Sequence, residues 1–242
     1  MSNVTDRQWK KFLVTPEEDL DKIRPGMNIF IGSGSAEPRT LMKFLMKSDL
    51  SNANDLELIQ LGTHGYILSL KELHYQNYRL KTFFSGWVAG ETATSLNVDL
   101  IPSRYSQIPR IIKSKRIPID AAFIQITPPN ESGYCSLGVA VDVAREAMEQ
   151  ASLVVGEINP LTPFTFGDTI VSISDFDLLI ESTEKPAYFS RWPVNKIMDQ
   201  VAANIASLIK DGDCIGFNTG SLIEALSPHL THKRQLGMNT PF

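Results

Sequence analysis

Residues 23–35 read Ile23-Arg24-Pro25-Gly26-Met27-Asn28-Ile29-Phe30-Ile31-Gly32-Ser33-Gly34-Ser35. A turn at Gly26 leads into a short apolar run, Asn28 to Ile31. The run breaks at two glycines, and a helical pattern carrying Leu41, Phe44 and Leu45 follows. Strand, glycine turn and helix form the opening of a βαβ unit. The same grammar returns at Ile209-Lys210-Asp211-Gly212-Asp213-Cys214-Ile215-Gly216-Phe217-Asn218-Thr219-Gly220-Ser221. Gly26 falls on Gly212 and Gly34 on Gly220, the same offset of 186 residues in both cases. Repetition of one unit, or convergence on one local chemistry, produces such an echo; repetition is the reading adopted. A lone strand–helix opening does not make a domain. The second copy is therefore expected either to pack onto the first unit or to begin a domain that continues outside this sequence. The expected division is 1–195 for the first domain and 196–242 for the opening of the second.

Working outward, further apolar runs of strand length occur at 56–61 (LELIQL), 80–84, 121–126 (AAFIQI), 153–158 (LVVGEI) and 170–173. Most are continuous rather than alternating, which predicts strands buried on both faces of a parallel or mixed sheet. Helical patterns lie between them. Ile197, Val201, Ile205 and Ile209 recur every four residues beside Ala202, Ala206 and Leu208. Ala144, Ala147, Met148 and Ala151 mark another helix, with Asp142 near its start, where the dipole favours an anion. The alternation predicts an α/β fold with a sheet flanked by helices.

Composition narrows the function classes. Of 242 residues, 43% are hydrophobic and 21% charged, which is ordinary globular usage. Lys plus Arg number 23 against 27 Asp plus Glu, a net charge of −4. That balance gives no general pull on phosphate backbones or anionic lipid, so neither nucleic acid nor a membrane is an expected partner. The polar stretch from Met1 to Leu20 lacks the apolar core of a signal peptide. Two cysteines, Cys135 and Cys214, make no disulfide framework. A cytoplasmic protein is expected.

Several stretches hold candidate chemistry. Gly32-Ser33-Gly34-Ser35-Ala36-Glu37-Pro38 follows a strand and precedes a helix, so it is either an anion or cofactor loop or a tight βα turn. A dinucleotide fingerprint would place a third glycine at position 37, where Glu37 stands. Residues 127–138, TPPNESGYCSLG, follow the AAFIQI strand, and two prolines force the chain out of the sheet there. Cys135 in that loop is either a nucleophile or a small buried hydrophobe. Glu157, Asn159 and Asp168 lie near the exit of the next strand and could form an acid–base pair or a cap. His64, His74, His229 and His232 show no metal-ligand spacing, so no metal is expected. Arg110, Lys113, Lys115 and Arg116 form a basic run, read as a solvated face or as a patch for an anionic ligand.

Taken together, GSGSAEP (32–38), TPPNESGYCSLGVAVD (127–142), ASLVVGEINP (151–160), TPFTFGD (162–168) and DGDCIGFNTGSLIEAL (211–226) resemble, in order, the acetyl-CoA hydrolase/transferase family. That family includes acetate and 4-hydroxybutyrate CoA-transferases. The resemblance covers nearly the whole chain from about residue 16, and PPNESGYCSLG is its most specific stretch. It implies two similar α/β halves, of which this chain holds the first and the opening of the second. It implies acyl-CoA and a short carboxylate as substrates and coenzyme A as the carried group. It also implies either a homodimer or association with a carboxyl-terminal half.

The mechanism implied by the resemblance is attack of a glutamate on the thioester, giving a mixed anhydride and then a glutamyl-CoA thioester, from which an acceptor carboxylate takes the CoA. Water in place of the acceptor gives hydrolysis, and glycine-loop amides would hold the oxyanion. Residue by residue, the family's CoA-contacting loop falls on Asn218, Thr219, Gly220, Ser221 and Leu222, with one glycine kept. Gly32, Ser33 and Gly34 are the candidate binding loop of the first unit. The glutamate slot falls on Pro241, a usual Gln on Gly216, a usual Arg on Phe164 and a usual Asp on Asn130. No catalytic side chain is therefore assigned, and Glu37 and Glu131 are the only surrogate nucleophiles considered. The alternative expectation is a non-catalytic CoA-binding or partner subunit. A third is another enzyme on a similar scaffold, such as a sugar-phosphate isomerase.

Overall fold

The computed structural model describes residues 9–16, 18, 21–47, 54–62, 78–84, 98–188 and 191–240. The chain divides into two compact units, Met1–Tyr188 and Phe189–Phe242.

In the first unit a seven-stranded sheet runs in the order β4 (Val98–Leu100), β3 (Tyr78–Thr82), β2 (Leu56–Gln60), β1 (Asn28–Ile31), β5 (Ala121–Ile126), β7 (Leu153–Ile158), β9 (Leu178–Glu181). Every pairing in it is parallel. The continuous apolar runs follow from this, because both faces are covered. One face sets Phe30, Ile59, Ala122, Ile124 and Val154 against helices α2 (Ile108–Lys113) and α3 (Ala144–Gln150). The other sets Ile29, Ile31, Leu58, Phe123 and Val155 against Leu41, Met42 and Leu45 of α1 (Arg39–Lys47). Successive side chains point to opposite faces, so each central strand feeds both cores.

The structure alters several expectations. The run at 170–173 does not join the main sheet: β8 (Ile170–Ser172) pairs antiparallel with β6 (Tyr134–Ser136) in a separate ribbon. β3 starts two residues before the expected run. β4 and β9 were not anticipated, since three and four residues with charged members carry little periodicity. The basic run belongs in part to α2, which buries Ile108 and Ile112 while Lys113 pairs with Glu146 at 3.4 Å.

In the second unit α4 (Lys196–Leu208) begins at Asn195, whose Oδ1 accepts the Met198 amide at 2.9 Å. It packs on α5 (Ser221–His229) through Ala202, Ala206, Ala225 and Leu226. The isoleucine stripe that marked this helix is only in part its packed face: Ile205 joins that cluster, while Ile197 is 71% exposed and Val201 is 42% exposed. The small alanines let α5 approach closely and thereby decide which side packs. β10 (Cys214–Gly216) pairs parallel with β11 (Gly237–Asn239). Thus β1–α1–β2 and β10–α5–β11 each set a helix between two parallel strands.

Candidate active site

In the first unit the chain builds the sheet outward from β1 on one side, through β2, β3 and β4. It then returns to β5 on the other side and proceeds through β7 to β9. The loops leaving the carboxyl ends of β1 and β5 therefore diverge, and such a switch point is where open α/β sheets bind ligands. These two loops are GSGSAEP and TPPNESGYCSLG.

The β1 loop is held tightly. The Gly32 amide donates to the Phe123 carbonyl at 3.0 Å, and the Gly34 amide to the Gly62 carbonyl at 2.9 Å. A Cβ on Gly32 would lie 2.6 Å from the Ala36 carbonyl oxygen, and Gly34 takes φ +58°. The close approach requires glycine at 32, and the left-handed φ favours it at 34. The Ser33 hydroxyl accepts the Leu61 amide at 3.1 Å. Its side chain is thereby occupied within the protein, so a ligand-binding role for this loop falls to its backbone. Gln125 donates to the Ser35 carbonyl at 3.1 Å, and Gln60 to that of Gly32 at 3.1 Å. Glu37 is fully buried beside Gln60. Burial closes Glu37 off from an attacking role, while Glu131 lies exposed in the β5 loop.

The β5 loop turns on Asn130, whose Oδ1 accepts the amides of Ser132 and Tyr134, each at 3.0 Å. That role needs an acceptor and no charge, which accounts for Asn where the family pattern has Asp. Cys135 is buried, and burial with the Asp175 charge pushes its thiol up to about 12. It is a packing residue and no nucleophile.

Glu157 and Asp168 do not form an acid–base pair. Glu157 is fully buried and accepts the Thr40 and Leu41 amides at 3.2 and 3.0 Å and the Ser182 hydroxyl at 2.6 Å. It caps the first turn of α1 from inside the sheet. Burial raises its carboxyl above the ordinary range despite those donors. The Asp168 side chain is 94% exposed and pairs with Arg145 at 3.4 Å. Asn159 donates to Gln125 at 2.9 Å and to the Glu184 carbonyl at 3.1 Å, joining the ends of β5, β7 and β9.

Two features escaped the sequence reading. Gln60 and Gln125 are buried polar residues at the ends of apolar strands. Their position inside otherwise apolar runs was the available signal.

In the second unit, Asn218 and Thr219 are exposed, Gly220 (φ +143°) and Ser221 are half-buried, and Leu222 is 39% exposed. Asn218, Thr219 and Gly220 lie in the turn between β10 and α5, the counterpart of the β1 loop, and Ser221 and Leu222 open α5. Pro241 lies outside the described residues, as do His64 and His74. Among the described residues no three His, Cys, Asp or Glu gather as metal ligands, and no helix is long and apolar enough to cross a membrane. Phe164 packs edge-on against exposed Phe166, centroids 5.5 Å apart.

Residues 1–191 match the family described as acetyl-CoA hydrolase/transferase N-terminal domain. The chain is 30% identical over 232 residues to a 4-hydroxybutyrate coenzyme A transferase of Clostridium kluyveri, covering 96% of this chain and 54% of that protein. It is 29% identical to a succinyl-CoA:acetate/propanoyl-CoA:succinate CoA transferase of Fasciola hepatica, covering 96% and 49%. The chain thus spans about half the length of these curated relatives. Among solved structures, RipA from Yersinia pestis superposes with a TM-score of 0.82 at 23% identity, over 98% of this chain and 57% of that one. A 4-hydroxybutyrate CoA-transferase from Porphyromonas gingivalis gives 0.69 at 24% identity, over 97% and 55%. These superpositions show a shared fold.

Proposed function

The chain belongs to the acetyl-CoA hydrolase/transferase family, and from that premise we propose that it serves as the amino-terminal part of an acyl-CoA:carboxylate CoA-transferase or acyl-CoA hydrolase. The observation that carries this reading is the place of the most specific stretch beside the first glycine loop. GSGSAEP and TPPNESGYCSLG leave adjacent strands, β1 and β5, at the switch point of the sheet. In this reading the backbone of Gly32, Ser33 and Gly34 receives the acyl or carboxylate group. Asn218, Thr219, Gly220, Ser221 and Leu222, in the opening of a second CoA-transferase-like domain (196–242), contact coenzyme A. No metal is assigned a part, and the cytoplasm is the proposed compartment. The nucleophile comes from outside this chain, through a carboxyl-terminal half.

The test is a calorimetric titration with acetyl-CoA and CoA, paired with an assay of CoA transfer from acetyl-CoA to butyrate. The expected result is measurable binding with transfer at the no-protein background. Absence of binding to either compound overturns the assignment. Transfer above background overturns the statement that the nucleophile lies elsewhere.

A second reading, a non-catalytic CoA-binding or partner subunit, is favoured by Pro241 in the glutamate slot. It predicts that supplying a carboxyl-terminal half with its own glutamate restores no transfer, whereas the first reading predicts that it does.

A further inference from the structure

The turn from Gly32 to Ser35 uses every carbonyl it has and leaves two amides over. The Gly32 carbonyl accepts Nε2 of Gln60 at 3.1 Å, and the Ser33 carbonyl accepts the Ala36 amide at 3.0 Å. The Gly34 carbonyl accepts the Glu37 amide at 3.3 Å, and the Ser35 carbonyl accepts Nε2 of Gln125 at 3.1 Å. The Gly32 amide donates to Phe123 and the Gly34 amide to Gly62. Among the described residues, the Ser33 and Ser35 amides meet no acceptor. Ser33 is only 7% exposed, and an N–H without a partner is rare at such a depth. A turn whose carbonyls are all taken and whose spare groups are all donors suits one kind of ligand group, an acceptor oxygen such as that of a carboxylate or a thioester carbonyl.

Gln60 supplies a second, independent observation. It is fully buried at the end of β2, and its Oε1 has no hydrogen-bond partner. The carboxamide cannot be turned over, because its Nε2 serves the Gly32 carbonyl and reaches the Glu37 carboxylate at 3.5 Å, and Oε1 would then face two acceptors. An unpaired buried oxygen costs stability that an apolar side chain would not. What the glutamine provides in return is direction. A peptide unit is planar and trans, so the Gly32 carbonyl and the Ser33 N–H point opposite ways. By holding that carbonyl, Gln60 turns the Ser33 N–H away from β2 and polarises it. We infer that Gln60 is a positioning residue of the switch-point site, which aims the Ser33 amide as the hydrogen-bond donor to a carboxylate or thioester carbonyl oxygen. The identity of that ligand rests on the functional reading above; the hydrogen bonds within the turn do not.

The experiment is an NMR titration of the isotope-labelled 242-residue chain, run separately with acetyl-CoA and with acetate. The Ser33 amide resonance is expected to move with either compound, and by more than those of Gly32 and Gly34, whose protons are engaged within the protein. Gln60→Met removes the donor at nearly constant volume and brings no unpaired acceptor. It is expected to weaken both compounds about tenfold, with amide exchange at Ile59 and Phe123 at the wild-type rate, a split that a packing role alone would not give. Ser33→Pro removes the N–H at a residue whose φ is −95°, on the negative side that proline needs. Ser33→Ala shares its loss of the hydroxyl and keeps the N–H, so Ser33→Pro is expected to bind about tenfold more weakly than Ser33→Ala. A Ser33 amide unmoved by both compounds overturns the inference, as does wild-type affinity in Gln60→Met or equal affinity in Ser33→Pro and Ser33→Ala. If a variant does not fold, the titration of the wild-type chain decides alone. If acetate moves the Ser33 amide while acetyl-CoA binds nowhere on the protein, the functional reading fails and the positioning role stands.

Discussion

The Glu157 carboxylate accepts the Leu41 backbone amide at 3.0 Å, tying the end of β7 to the first turn of α1 in the middle of the protein. With the Thr40 amide and the Ser182 hydroxyl on the same group, it meets three donors at once. A carboxamide of the same shape cannot do this, because its NH2 would face a donor. Glu157→Gln is therefore expected to lower the unfolding free energy by about 1–3 kcal/mol, the cost of leaving a buried donor unmatched. Urea denaturation at pH 7 measures it; an unchanged midpoint would remove the capping role.

The same residue sets a pH signature. Burial raises the Glu157 carboxyl, and Asp142 is raised for the same leading reason. A carboxyl raised on folding binds its proton more tightly in the native state, so stability falls as pH rises from the unfolded value to the folded one and is flat beyond. The destabilisation by Glu157→Gln should accordingly be largest at low pH and shrink as pH rises through that window. Glu184 works in the opposite sense: its hydrogen bond from Lys43 at 2.5 Å lowers it, so its contribution is present above the ordinary carboxylate range and lost on acidification. Denaturation of wild type and variant from pH 4 upward checks the sign.

Gly32 has no room for a methyl group. A Cβ would meet the Ala36 carbonyl oxygen at 2.6 Å, and that atom is backbone, so the turn itself must move. Gly32→Ala should cost about 1–3 kcal/mol and weaken acetyl-CoA binding. Gly26→Ala is the control: its added Cβ meets nothing within 4 Å, so only the strain of φ +79° is felt there.

The two thiols should separate cleanly. Cys214 is exposed, whereas Cys135 is buried with its thiol pushed up to about 12. Ellman's reagent at pH 8 should find one reactive thiol in the native protein and both in denaturant. A fast-reacting Cys135 would reopen it as a nucleophile.

Asn130 serves as a neutral acceptor for two amides. Asn130→Asp should be nearly silent, and Asn130→Ala should lose about 1 kcal/mol with the turn it closes. Thermal melts of the two variants distinguish them.

Much of the fold was legible because burial on both faces writes itself as an unbroken apolar run: AAFIQI and LVVGEI could scarcely be anything but central strands. The repeated turn at Gly26 and Gly212 likewise precedes a strand and then a helix in both places. The isoleucine stripe of α4 misled in part, since periodicity reports where apolar residues lie and not which side finds a partner; Ala202 and Ala206 settled that. β9 was invisible because four residues between Asp177 and Ser182 give no period to read. At the site, the glycine loop was legible, but the work of Glu157 was not. It acts across more than a hundred residues of sequence, on Leu41, and no local pattern records such a meeting.

The central place of β1 has a consequence for how the chain acquires its structure. Ile29 pairs with Ala121, so one edge of the first strand finds its neighbour only after some ninety further residues have been made. Until then a strand whose Ile29, Phe30 and Ile31 are destined for complete burial offers a bare hydrogen-bonding edge. Closing so long a loop before any reward is collected slows folding, and it lengthens the time in which nascent chains can pair with one another instead. Synthesis conditions that shorten this interval, or a chaperone that shields it, should govern the yield of native protein more than any single contact within the finished sheet.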